Sequence, residues 1–274
     1  MPAMNQRPLA GLCLGISISG GEDLATKYGL SASDLSAITV ELCRRFVGLG
    51  SQVALGHQWR PKGIMEEVVR FARVYQWEVP SRDGPIIHNF LAWPDRAALS
   101  DSDRKELNGL VHIDEPKETP PVMPGLPQRA AALTAMRQRV NDLCASRICL
   151  SGKVCQPNPL FVSGVLEEAS LMIKRSGPVF MSGMMGGVAS LLIERLRGKQ
   201  VAEQEFGGDP NRTRKLWEAF RPEQKSRLAE LSGLTNAEQD ELFDAQNLDT
   251  IVKLVARGMR TIKERRSAPA LLRS

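Results

Sequence analysis

The chain has 274 residues, of which 42% are hydrophobic and 24% charged. That composition is typical of soluble globular domains and excludes a disordered or fibrous protein. No apolar run approaches the ~18 residues that a membrane-spanning helix needs, so we expect no membrane association. The net charge is +5, from 36 basic and 31 acidic residues. An excess of this sign suits an anionic ligand.

The cysteines indicate a reducing compartment. There are five of them, an odd number, and their spacing does not match a zinc site. We therefore predict reduced thiols, no metal site and a cytoplasmic location. The N-terminus lacks the long apolar core of a signal peptide, which agrees with that location.

Strands and helices are predicted to alternate from residue 9 to residue 197. Apolar runs bounded by small residues predict the strands, and apolar residues at helical spacing predict the helices. In chain order, the predicted elements are a strand over 9–19, a helix over 34–48 that Ser33 caps, a strand over 52–55, a helix from 64 onward, a strand over 86–92, an extended proline-rich connector over 116–127, a helix over 130–145, a strand over 147–150, a helix from 164 onward, a strand over 178–181, a helix over 188–197, and helical segments over 236–245 and 248–263.

This alternation predicts an α/β protein. The expected architecture is a Rossmann-like doubly wound parallel sheet with helices on both faces and a C-terminal helical tail. We assign residues 1–200 to a nucleotide-binding core. Residues 201–274 are expected to form a helical extension that completes the same domain.

Small-residue turns follow the predicted strands. Ligands of such sheets bind at the carboxyl ends of the strands, and glycine turns and helix N-termini present backbone N–H groups to phosphates. We therefore expect the turns to converge on one nucleotide site. Its predicted ligand-binding residues are Ser17, Ser19, Gly20, Gly21, Gly56, His57, Arg60, Gly63, Gly152, Lys153, Ser163, Gly164, Glu168, Ser182, Gly183, Gly186 and Gly187.

Glu168 is the candidate for chemistry. A carboxylate one turn into a helix beside a phosphate turn would bond ribose hydroxyls or stabilise an oxocarbenium ion. The alternative role is structural, either favouring the helix dipole or forming a capping box with Ser163. Glu167 is expected to face solvent.

Three basic side chains have two interpretations each. Arg60 would clamp a phosphate with its planar fork, or it lies on the surface. Lys153 follows a strand and a glycine, so it either faces the ligand or is solvated. His57 would contact phosphate or ribose, or is structural. A side chain at Gly183 or Gly187 is expected to block the approach of phosphate while leaving the fold intact.

Several segments together resemble the SLOG superfamily. The resemblance is closest to the branch associated with Sir2 and TIR proteins, and it covers about residues 16–259. Gly164–Glu168 also resembles the Gly-Thr-x-Glu-Glu segment of the related Lonely-Guy proteins. The lead into that turn, residues 160–163, lacks their paired glycines and the arginine found in closer relatives. The segments that carry the resemblance are Ser17–Ser19, Gly56–Gly63, Leu133–Arg137, Gly164–Ala169, Ser182–Gly187 and Asp249–Arg260.

The resemblance implies a nucleotide-sensing module. Its ligand would be an ADP-ribose-like or NAD-derived signal, as in antiphage defence, and no other cofactor is expected. We expect a homo-oligomer that works alone or through a separate effector or signal-producing protein. The alternative function is an N-glycosidic-bond hydrolase acting on a nucleotide or NAD. DNA-processing proteins share this superfamily, but no basic stripe on one helix supports nucleic-acid binding here.

Overall fold

The computed structural model describes residues 7–20, 23–56, 59, 63–79, 84–93, 95, 99–116, 127–154, 161–201 and 209–267. Gly21, His57 and Arg60, three residues of the predicted site, lie outside these ranges. All statements below concern the described residues.

The described residues form one parallel sheet of six strands, in the order β4-β3-β2-β1-β5-β6. Every neighbouring pair of strands is parallel, and β1 pairs with β2 on one side and with β5 on the other. The predicted α/β, Rossmann-like parallel sheet is therefore confirmed. The strands are β1 (Cys13–Ser19), β2 (Gln52–Leu55), β3 (Ile87–Phe90), β4 (Val111–Asp114), β5 (Ser146–Ser151) and β6 (Val179–Ser182).

Helices connect the strands and continue past the last one. Three of them, α2, α5 and α11, are at least 16 residues long. None of the described helices is long and apolar enough to cross a membrane. The helices are α1 (Asp23–Tyr28), α2 (Ala32–Gly48), α3 (Ile64–Glu78), α4 (Asp101–Leu107), α5 (Gln128–Leu143), α6 (Gly164–Lys174), α7 (Gly187–Leu196), α8 (Pro210–Trp217), α9 (Lys225–Leu231), α10 (Asn236–Asp244) and α11 (Leu248–Ser267).

The sheet separates two apolar clusters, because alternate side chains of a strand point to opposite faces. In β6, Phe180 belongs to the cluster that includes α2, α3 and α11, whereas Met181 belongs to the cluster that includes α5, α6 and α7. The C-terminal helices contribute to both. Ile251 of α11 lies in the first cluster and Trp217 of α8 lies in the second, both fully buried.

Two local predictions are wrong in detail. Ser31, not Ser33, caps α2: its hydroxyl accepts a hydrogen bond from the backbone N–H of Asp34, whose carboxylate accepts one from the Ser31 N–H. This reciprocal capping box satisfies two backbone donors that a cap at Ser33 would leave open. The predicted first strand begins four residues early, since Leu12 donates to the Leu9 carbonyl in a turn that precedes β1.

The edge of the sheet contains a pair of histidines. His88 of β3 lies beside His112 of β4, in register, with ring centroids 5.3 Å apart. Both ring nitrogens of His88 are buried and find no hydrogen-bond partner among the described residues. Burial first, and then the neighbouring His112, lower the pKa of His88 to about 4.

This pair predicts a loss of stability in mild acid. His88 takes up its proton only near pH 4 when folded but near pH 6.5 when unfolded. The unfolded chain therefore binds more protons between these values, and stability falls as pH drops from 6.5 to 4. We expect His88 to lower the free energy of unfolding by roughly 1–2 kcal/mol over this pH range, a figure that allows for partial solvent screening. Urea unfolding at a series of pH values would measure it.

The matched variants are His88→Leu and His112→Gln. His88→Leu should flatten the pH dependence of the free energy of unfolding between pH 4 and 6.5. His112→Gln should keep most of that dependence, because the burial of His88 is unchanged. Equal pH profiles for the wild type and His88→Leu would contradict the assignment.

Candidate functional site

A cleft of about 430 Å³ lies at the carboxyl ends of the central strands. The ends of β1 and β2 and the first turn of α6 form its walls. Parallel α/β sheets commonly place their ligands at this edge. Its lining residues are Ile16, Ser17, Ile18, Ser19, Gly20, Leu35, Gly56, Gly63, Ile64, Leu133, Arg137, Lys153, Phe161, Val162, Gly164, Val165 and Glu168.

The structure brings together most of the predicted residues that it describes. Gly152 and Ser163 do not line the cleft but adjoin residues that do. Gly152 donates to the carbonyl of Ser19, and the Lys153 N–H donates to the Ser19 hydroxyl at 3.4 Å, so the turns after β1 and β5 are tied together. The predicted residues that line the cleft are Ser17, Ser19, Gly20, Gly56, Gly63, Lys153, Gly164 and Glu168.

Helix α6 begins at the cleft without a side-chain cap. Ser163 occupies the N-cap position, but its side chain makes no capping hydrogen bond. The Ser163 hydroxyl is buried and has no partner among the described residues. A capping box between Ser163 and Glu167 or Glu168 is therefore absent there. No side chain caps the first backbone N–H groups of α6, so these groups can donate hydrogen bonds to a ligand at the cleft.

The carboxylate of Glu168 is fixed at the cleft wall. Its Oε2 accepts hydrogen bonds from the Ser17 hydroxyl and from Nη1 of Arg147, the latter at 2.9 Å. Its Oε1 lies 3.8 Å from Nε of Arg137. The side chain is 12% exposed, so the group is mostly desolvated yet reachable from the cleft. A carboxylate held in this way can accept hydrogen bonds from ligand hydroxyls or face a developing positive charge.

Glu167 is buried, which corrects the prediction that it faces solvent. Its side chain is 3% exposed. Oε1 accepts from the Thr134 hydroxyl at 2.6 Å and from Arg212 at 2.9 Å, and Oε2 accepts from Arg137. A buried carboxylate requires such partners, since an unpaired charge away from water is strongly destabilising.

Sequence reasoning missed the arginines that hold these carboxylates. Arg147 lies in the central strand β5, only 1% exposed, and it donates to Ser17 at 2.6 Å and to Asn141 at 2.7 Å. Its signal was present, because an arginine inside an otherwise apolar strand needs a buried partner. Arg137 appeared only within a resemblance segment, and Arg212 follows the predicted core.

The carboxylates and guanidiniums form one charged cluster with an excess of positive charge. Three arginines, Arg137, Arg147 and Arg212, surround two glutamates, Glu167 and Glu168. The sum is therefore one positive charge. Nε of Arg137 and Nη2 of Arg147 are buried and find no hydrogen-bond partner among the described residues. The cluster can thus accept one anion without a further cation.

The turn after β6 does not line the cleft. The Ser182 hydroxyl accepts from the Met184 N–H, and Gly183 donates to the Phe243 carbonyl. Gly187 packs against Gly152, since a Cβ at Gly187 would lie 2.4 Å from the Gly152 carbonyl oxygen, and a Cβ at Gly186 would meet the Tyr28 ring at a similar distance. The bare backbone of this turn thus serves packing between α7 and the turn after β5.

The family model described as SLOG cluster2 matches residues 8–248. That range contains β1 to β6, all the lining residues of the cleft, and Arg212. No curated protein matches the chain. The predicted membership of the SLOG superfamily is confirmed, while the branch associated with Sir2 and TIR proteins stays a prediction.

Gly187→Ala should destabilise the fold. The sequence alone, in contrast, predicts that a side chain at this position leaves the fold intact. The backbone at Gly187 has φ +63°, and the added carbon would contact backbone atoms of Ser151 and Gly152. We expect a loss of about 2–4 kcal/mol from strain and overpacking. Gly48→Ala is the control, because Gly48 lies in α2 with nothing within 4 Å of the new carbon. Urea denaturation should show that variant unchanged or slightly more stable; equal stability of the two variants would contradict the packing role.

Proposed function

The chain belongs to the SLOG cluster2 family, and on that premise we propose that its cleft binds an anionic nucleotide. Membership of this family suggests a nucleotide-related function. The specific proposal is a sensor for an ADP-ribose-like or NAD-derived signal. A role in antiphage defence rests on the resemblance to sensors of such messengers, and the titrations below include cyclic ADP-ribose isomers for this reason.

The observation that carries the proposal is the excess positive charge at the cleft. Arg137 lines the cleft and belongs to a cluster of three arginines and two glutamates. Lys153 adds an exposed cation at the cleft. Low-dielectric surroundings strengthen the attraction of such charges for an anion. A phosphate or pyrophosphate would neutralise the excess.

Each part of a nucleotide has a matching group. The uncapped N-terminus of α6 and Arg137 would hold phosphate, by backbone N–H groups and by a charge-assisted bond. Glu168 would accept hydrogen bonds from ribose hydroxyls, since its Oε1 accepts none from the described residues. The volume of about 430 Å³ falls within the range of small-molecule sites.

The alternative is an N-glycosidic-bond hydrolase, and the fixed carboxylate of Glu168 favours it. Ser17 and Arg147 orient that group towards the cleft, where it would stabilise an oxocarbenium ion at the ribose. Arg137 and Arg147, from α5 and β5, lie beside this carboxylate, although the lead into α6 lacks an arginine. Binding and turnover must therefore be measured separately.

Lys153→Ala should weaken binding without affecting stability. The side chain is exposed at the cleft, and an exposed charge-assisted contact contributes roughly 1 kcal/mol, about a fivefold change in Kd. Titration calorimetry with ADP-ribose, NAD, cyclic ADP-ribose isomers and AMP measures it. Lys174→Ala is the matched control, because Lys174 is an exposed lysine in the last turn of α6, at the opposite end from the turn that lines the cleft. Equal affinity of both variants for every nucleotide bound by the wild type would remove Lys153 from the site.

Glu168→Gln separates the two functions. The amide keeps the shape of the side chain but loses the charge, so an oxocarbenium ion would no longer be stabilised. For a sensor, chromatography should detect no free base with the wild type or the variant over many hours. Multiple turnovers of NAD or AMP by the wild type, reduced by 100-fold or more in the variant, would establish the hydrolase instead.

A further inference from the structure

Arg212 of α8 reaches the charged cluster from outside the sheet region. Its guanidinium donates to Oε1 of Glu167 at 2.9 Å and to the Thr134 hydroxyl at 3.0 Å. The Arg212 side chain is 19% exposed and Glu167 is 3% exposed. The N-cap Asp209, whose carboxylate accepts from the backbone N–H groups of Asn211 and Arg212, fixes the start of α8.

Glu167 is shared between Arg212 and Arg137. Arg212 uses Oε1, whereas Arg137 donates to Oε2 from α5. Arg137 then continues to the cleft, where its Nε lies 3.8 Å from Glu168 and its Nη2 would lie 3.0 Å from a Cβ at Gly164. One carboxylate thus connects the first turn of α8 with the side chain that faces the ligand.

We propose that Arg212 is a positioning residue for Arg137, acting through the Glu167 carboxylate that the two guanidiniums share. The proposal rests on the proposed function, since Arg137 is the side chain assigned to the anion. It adds that α8 and the cleft are coupled. A ligand anion draws Arg137 towards the cleft and weakens its bond to Glu167, and Arg212 and the Thr134 hydroxyl then hold that carboxylate.

The physical basis is competition for one buried carboxylate. Removing one partner of a buried ion pair leaves the remaining charge less compensated, and side chains within one network change together. Without Arg212, Glu167 draws Arg137 more strongly, and Arg137 is less available to the anion. Binding of a phosphate-bearing nucleotide should therefore weaken. A nucleoside has no phosphate for Arg137 to bind, so its affinity should not change.

The experiment compares AMP and adenosine on Arg212→Ala. We expect AMP binding to weaken roughly tenfold, within the range of couplings in such networks, while adenosine binding is unchanged. Arg212→Lys should restore part of the affinity. In Arg137→Ala, a further Arg212→Ala should change AMP affinity by less than about twofold. Lys215→Ala, an exposed change on the same helix, is the control. Equal weakening for AMP and adenosine, or none for AMP, would overturn the proposal.

A second arm needs no ligand. Amide hydrogen exchange of α8 should be slower in Arg137→Ala than in Arg139→Ala, because Glu167 then holds Arg212 more strongly; Arg139 also lies on α5 but pairs with Asp114. Failure of the wild type to bind ADP-ribose, NAD, cyclic ADP-ribose isomers and AMP would refute the proposed function and leave this comparison to decide the coupling. Unchanged exchange of α8 in Arg137→Ala would refute the coupling even if AMP binds.

Discussion

The buried guanidinium of Arg147 is the constraint on which the cleft depends. It lies in β5 and bonds Ser17 on β1, Asn141 on α5 and Glu168 on α6. The amide of Asn141 in turn donates to the Glu168 carbonyl. Four elements thus meet at one side chain that is 1% exposed. Because Arg147 cannot reach water, each of these partners must stay in place, and the orientation of Glu168 follows from the fold itself.

Close packing around Arg147 and the cleft also explains glycines that do not line the cleft. A Cβ at Gly15 would lie 3.1 Å from Cζ of Arg147, so a small residue there leaves room for the guanidinium. Gly187 similarly allows α7 to pack against the turn after β5. Only some glycines at the strand ends therefore serve the cleft directly. The others allow close packing that holds the cleft residues in position.

The sequence predicts the sheet and eight of the seventeen residues that line the cleft, because these depend on local patterns. Apolar runs and glycine turns predict that Ser17, Gly56 and Glu168 come together, and all three line the cleft. The burial of Glu167 escapes such patterns, since its partner Arg212 lies 45 residues away on a helix whose packing is tertiary. Strand β4 was also missed: it lies at the sheet edge, and its alternation Val-His-Ile-Asp covers only four residues, too few to identify a strand.

The described wall of the cleft combines one carboxylate with two basic side chains. Cleavage of an N-glycosidic bond needs a stabilised oxocarbenium ion and a proton for the departing base. Glu168 is placed to supply the first, and its Oε2 accepts hydrogen bonds from Ser17 and Arg147. Among the described lining residues the other ionisable side chains are those of Arg137 and Lys153. The described lining thus matches the phosphate and ribose of the proposed nucleotide, and a hydrolase would need a proton donor in addition to it.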